Sequence, residues 1–96
     1  MLAATWKSRV EKAASEAELL GVVRDFIADL TPKDIERLPP ICRPIEFEHG
    51  RDILNYVVIL VGHHCDGDGA THRLVTRLTA FFSAASLRLG EIERAS

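Results

Sequence analysis

Cysteine is scarce in this chain: Cys42 and Cys65 are the only two, too few and too far apart in sequence for a disulfide framework. Both are expected as thiols, and the simplest role for each is that of a small buried apolar residue. Long apolar runs are missing too. The longest uncharged run, Ile53 to Cys65, stops short of the ~20 apolar residues that cross a bilayer. The opening MLAATWKSRVEK has neither the apolar stretch nor the cleavage pattern of a signal peptide, so a cytoplasmic address is the default expectation. Positive charge is also in short supply, with 12 Lys and Arg against 14 Asp and Glu. Only residues 71–96 are net basic, with four arginines against two glutamates. Nucleic-acid readers concentrate their positive charge on one face, so this balance argues against one.

What is present describes a small folded domain. The hydrophobic share is 47%, with only six aromatic residues, over 96 residues. A single domain of this length buries only about 60–65% of its unfolded surface, which makes a deep active-site cavity costly. The densest apolar material lies between Asp52 and Ile92. Its first half, Ile53 to Val61, has only Asn55 as a clearly polar interior position, too greasy for a lone surface helix. In its second half Leu74, Val75, Leu78, Phe81, Phe82, Ala85, Leu89 and Ile92 recur at spacings of three and four, which places them on one helix face. Joined by a short polar loop, HHCDGDGATH, the two halves read as an antiparallel helical hairpin.

Upstream, Trp6, Val10, Ala13 and Ala14 give a first helix with a thin apolar stripe. Ser15 followed by Glu18 is a capping-box signature, and it precedes the apolar positions of a second helix, Leu19 to Leu30. One continuous helix from Ala3 to Leu30 competes with this, because the apolar face carries across the junction. Gly21 would cost such a helix about 1 kcal/mol and would mark a close crossing. Thr31, Pro32 and Asp34 together start a short helix ending near Arg37 or Leu38. Pro39, Pro40 and Pro44 then impose an extended segment, residues 39–48, that presses Ile45 and Phe47 onto the hairpin.

The β-branched run Val57 to Val61 has strand propensity. Its only pairing candidate, residues 45–48, would make a two-stranded sheet, which is marginal alone. Helix is therefore expected, with Leu54, Val57, Val58 and Val61 on one face and Ile53, Tyr56 and Leu60 on its neighbour. Gly62, His63 and His64 would end it, and Asp66 or Asp68 would cap the helix that follows. The fold expected for residues 1–96 is one all-α domain, a compact bundle of four to five helices.

The cluster His63, His64, Cys65, Asp66, Asp68 and His72 has the donor types zinc accepts. Adjacent His63 and His64 point about 100° apart on a helix, however, and no second pair stands at zinc-finger spacing. A small metal-binding protein using His63, His64, Cys65 and His72 is kept as an alternative. Calcium fails on arithmetic: counting Asp66 as the first loop position puts Arg77 at the twelfth, where a bidentate Glu is required. Gly67 and Gly69 lack the Lys and Ser or Thr of a phosphate loop. Cys65 with His64 or His72 lacks an oxyanion hole and an orienting third group, so no catalytic residue and no cofactor are assigned. A helix-turn-helix would offer only Arg73 and Arg77 early on a reading helix from Thr71, which leaves weak DNA binding as a second alternative.

The preferred expectation is a non-enzymatic protein–protein interaction module, a regulator, inhibitor or adaptor acting as a homodimer. A small helical anti-activator that blocks the pairing of a transcription regulator is one concrete form. The hairpin holds more apolar surface than the short upstream elements can obviously cover, and uncovered stripes on small helical proteins serve association. The contact face is placed on the last helix, at Val75, Leu78, Phe81, Phe82, Leu89 and Ile92. The competing expectation is a monomer whose helices simply cover one another.

Overall fold

The last helix sets the frame. In a computed structural model, which describes residues 3–44, 46–62 and 69–95, it runs Gly69–Ala95. At 1.5 Å per residue its 27 residues span about 40 Å, and the molecule's longest dimension is 42 Å. Four shorter helices precede it: α1 (Ala4–Lys12), α2 (Glu16–Ala28), α3 (Pro32–Arg37) and α4 (Gly50–Gly62), which makes the last helix α5. A 3₁₀ turn, Pro40–Cys42, lies between α3 and α4. Each of α1 to α4 packs on α5. Among the described residues there is no strand, so the domain is all-α.

The junction between α1 and α2 is a real break. Ser15 is extended, and its hydroxyl accepts from the Glu18 N–H at 3.2 Å. The Glu18 carboxylate reaches one residue beyond the expected box and accepts from the Ala14 N–H at 2.6 Å. Across the junction, the Arg88 Nε donates to the Ala13 carbonyl at 2.9 Å, tying the end of α1 to α5. Donors that would be orphaned at a helix start are thereby satisfied, which favours two short helices over one long one.

At α3 the sequence signal is met in full. Thr31 Oγ1 accepts from the Asp34 N–H at 3.1 Å, and the Asp34 carboxylate accepts from the Thr31 N–H at 3.2 Å. Arg43 then folds back, its Nε donating to the Leu38 carbonyl at 3.1 Å. The proline segment is therefore not uniformly extended. It contains the 3₁₀ turn, whose buried Cys42 accepts a hydrogen bond at its carbonyl from the buried Tyr56 hydroxyl. Phe47 is buried as expected, while Ile45 lies outside the described residues.

α4 is helical despite its valines because its large residues share one face: Ile53, Tyr56 and Leu60 are buried against α5 and the 3₁₀ turn. Its start is capped by Asp52, whose carboxylate accepts from the Glu48 and His49 N–H groups, both at 2.9 Å. The hairpin is antiparallel, since Gly50 at the start of α4 sits against Leu89 near the end of α5. Asp66 and Asp68, the expected caps of α5, and His63 and His64, the expected end of α4, lie outside the described residues.

All six aromatic rings join one network. Phe26 of α2 stacks on Phe81 of α5 at 3.8 Å between centroids, and Trp6 of α1 meets both edge-on. Phe82 stacks on Phe47 at 5.3 Å and meets Tyr56 of α4 edge-on at 4.7 Å. Its edge-to-face contacts with Phe81 and Phe26 link the two halves of the network. Such pairs add about 0.5–1.5 kcal/mol each beyond burial alone. A few aromatics concentrated on one seam hold α1, α2, α4 and the segment before it to α5.

The close crossing expected at Gly21 is at Gly50 instead. A Cβ at Gly21 would meet nothing within 4 Å, whereas one at Gly50 would lie 2.7 Å from Glu16 Oε1 and 2.8 Å from a Leu89 methyl. The Gly50 N–H also donates to Glu16 Oε1 at 2.5 Å, so a carboxylate from α2 caps α4. Gly50→Ala gains helix propensity but drives a methyl into buried Leu89 and the cap, and overpacking of this kind costs about 1–3 kcal/mol. A lower urea midpoint is expected, with Gly21→Ala raising it slightly. Equal effects at both positions would remove the case for a tight crossing.

Both capping aspartates titrate below their ordinary range. Asp34 is held down by the Thr31 hydroxyl and then the Thr31 N–H, and Asp52 by the His49 and then the Glu48 N–H. A depressed carboxyl contributes stability above its unfolded value, about 3.9, and loses it as pH falls through the folded value. Stability should therefore fall with acid below about pH 4, with a shallower slope in Asp34→Asn and Asp52→Asn than in the wild type. Denaturant midpoints across pH measure this, and identical slopes in all three proteins would contradict it.

Candidate interaction surface

Of the six residues expected to form a contact face on α5, four are turned into the core. Leu78, Phe81, Phe82 and Leu89 are fully buried, and Val75 and Ile92 pack partly buried against the same core. The reason is the aromatic seam: Trp6, Phe26 and Phe47 cover more of α5 than the thin stripes of the upstream elements suggest, each ring burying about 150–250 Å². A partner could reach Leu78, Phe81, Phe82 and Leu89 only by opening the fold.

The surplus apolar surface exists, but on α4. Leu54, Val58 and Val61 are 42%, 70% and 58% exposed. At about 100° per residue these three fall within a wedge of roughly 60°, on the side of the helix away from Ile53, Tyr56 and Leu60. Exposed Arg51, Asn55 and Gly62 border the stripe. No formal charge occurs between Ile53 and Gly62. Ile41 is also exposed, on the 3₁₀ turn that packs against α4. By contrast, exposed Leu87 on α5 has Arg88 and Glu91 nearby, and single exposed leucines are ordinary on soluble proteins.

The sequence identified both apolar faces of α4 but not which one turns inward. One signal was present. The bulky Ile53, Tyr56 and Leu60 fill an interior better than valines do, and Arg51 and Asn55 lie on the flank of the valine face.

The His and Cys cluster divides. His72 is exposed on α5, and His63, His64, Cys65, Asp66 and Asp68 lie outside the described residues. His49 is exposed and Cys42 buried. Among the described residues no three His, Cys, Asp or Glu side chains converge as metal ligands. No helix among them is long and apolar enough to cross a membrane.

A groove of about 660 Å³ lies between α2 and Pro44, Glu46, Phe47 and Glu48. Ile27 and Phe47 supply its apolar lining, and Glu46, Glu48 and Arg24 its charge. The Arg24 guanidinium is already engaged, donating to the Phe47 carbonyl at 3.4 Å. This cation anchors the segment to α2. Comparisons with protein-family models, curated proteins and solved structures find no match for the chain.

Proposed function

We propose that the chain is a non-enzymatic protein–protein interaction module, a regulator or adaptor that docks a partner through the exposed face of α4. The observation that carries this reading is the Leu54, Val58 and Val61 stripe, a continuous uncharged surface on a regular helix. Contiguous apolar patches with polar borders mark association sites on small proteins, and a helix face with anchors four and three residues apart suits a groove or a second helix. A regulator that occupies the pairing surface of another protein is the concrete form we favour. A cytoplasmic setting fits a chain whose described cysteine, Cys42, is a buried thiol.

Val58→Glu tests the reading with little risk to the fold, because substitutions at exposed positions usually change stability by about 0.5 kcal/mol or less. Immobilised wild-type protein should retain a stoichiometric partner from an extract of its own cells, and Val58→Glu should lower that retention at least about tenfold. Circular dichroism should show the same helix content in both proteins. Equal capture by the wild type, Leu54→Asp, Val58→Glu and Val61→Asp would sink the proposal.

A further inference from the structure

We infer that the α4 stripe takes a second copy of this chain, with the two α4 helices antiparallel across a two-fold axis near Val58. This rests on the reading of the stripe as a contact surface and names its occupant. Leu54, Val58 and Val61 are spaced four and three apart, as in one seam of a helix pair. On a two-fold axis such a seam meets itself, and residue pairs repeat twice. With the axis between the levels of Val57 and Val58, the antiparallel arrangement sets Leu54 of each copy against Val61 of the other.

Charge favours the same pairing. The exposed polar donors of the face, Arg51 and Asn55, both lie in the amino-terminal half of α4. Its carboxy-terminal half, from Val58 to Gly62, carries no side-chain charge and bears the negative end of the helix dipole. Antiparallel pairing brings each Asn55 to the opposite copy's carboxy-terminal half and each Arg51 to the negative end of that helix's dipole, so one favourable interaction forms twice. Parallel pairing would set Arg51 against Arg51. The stripe carries no other charge for a foreign partner to read.

Area sets the strength. α4 is 13 residues, about 20 Å long, and its few exposed apolar side chains fall short of the ~800 Å² per partner of a standard interface. The pair should therefore have a dissociation constant of roughly micromolar or weaker.

Sedimentation equilibrium over about 1 µM to 1 mM should show the mass rising from 10.7 kDa toward twice that value, with Val58→Glu raising the dissociation constant at least about a hundredfold by setting two carboxylates together at the axis. Orientation is read by mixing Leu54→Cys and Val61→Cys proteins in a Cys65→Ser background under mild oxidation. Mixed disulfides should exceed either self-linked product at least tenfold. A wild type that stays monomeric, a dimer indifferent to Val58→Glu, or predominance of self-linked products overturns the inference. If the wild type is monomeric but Val58→Glu still loses a captured protein, the second copy is wrong and the interaction module stands. If neither mass nor capture responds to that substitution, both fall.

Discussion

Phe82→Ala is expected to cost about 3–5 kcal/mol, a large fraction of the 5–15 kcal/mol that keeps a domain of this size folded. Phe82 has no exposed surface and contacts Phe26, Phe47, Tyr56 and Phe81. Its removal opens a cavity where α2, the 43–49 segment and α4 all meet α5. The hole cannot close by the shift of one element, because each neighbour is also held by a second ring. The urea midpoint by far-UV circular dichroism should fall sharply, and much of the protein should be unfolded on mild warming. Leu87→Ala on the same helix is the control: Leu87 is exposed, and its loss should change stability by about 0.5 kcal/mol or less. Comparable midpoints for the two variants would show that α5 is not the organising element.

That centrality of α5 was legible in the sequence, and so was most of the architecture around it. Thr31 with Asp34, and Ser15 with Glu18, are local chemistry: in both, the hydroxyl accepts from the amide three residues on and the carboxylate reaches back to an amide before the helix. The helical state of residues 50–62 was also reachable, since the one candidate partner, residues 45–48, would have made only a marginal two-stranded sheet. The identity of the exposed face was not. Ile53, Leu54, Tyr56, Val57, Val58 and Val61 look alike to any periodicity, and the choice between faces of α4 is made by α5 and the 3₁₀ turn. The placing of that turn is invisible locally, because the Tyr56 hydroxyl that reaches the Cys42 carbonyl comes from a helix well downstream. For the same reason periodicity alone points to a contact face on α5, whose long apolar arc is mostly the core itself. A surplus of apolar residues can be counted in a sequence, but its position depends on how the other elements share the burial.

Phe47→Ala should behave differently from Phe82→Ala, although the two rings stack on each other. Phe47 belongs to no helix. It sits in a segment between the 3₁₀ turn and α4, pinned by its ring against Phe82 and Tyr56, by Arg24 on its carbonyl and by Asp52 on the two amides that follow. Truncating a buried Phe costs about 3–5 kcal/mol when the whole fold bears the loss. Here the segment has a cheaper response: it can release locally while α1, α2, α4 and α5 stay packed, and the free energy of local opening then falls before that of global unfolding. The expected signature is cleavage by a glutamate-specific protease after Glu46 or Glu48 at least about tenfold faster than in the wild type, at a protease concentration where opening is in equilibrium. Helix content should be nearly unchanged, and the urea midpoint should fall less than for Phe82→Ala. If instead Phe47→Ala loses as much global stability as Phe82→Ala with no gain in local cleavage, the segment folds as part of one cooperative unit. The ring would then be a core residue like any other, not the anchor of a separable strap.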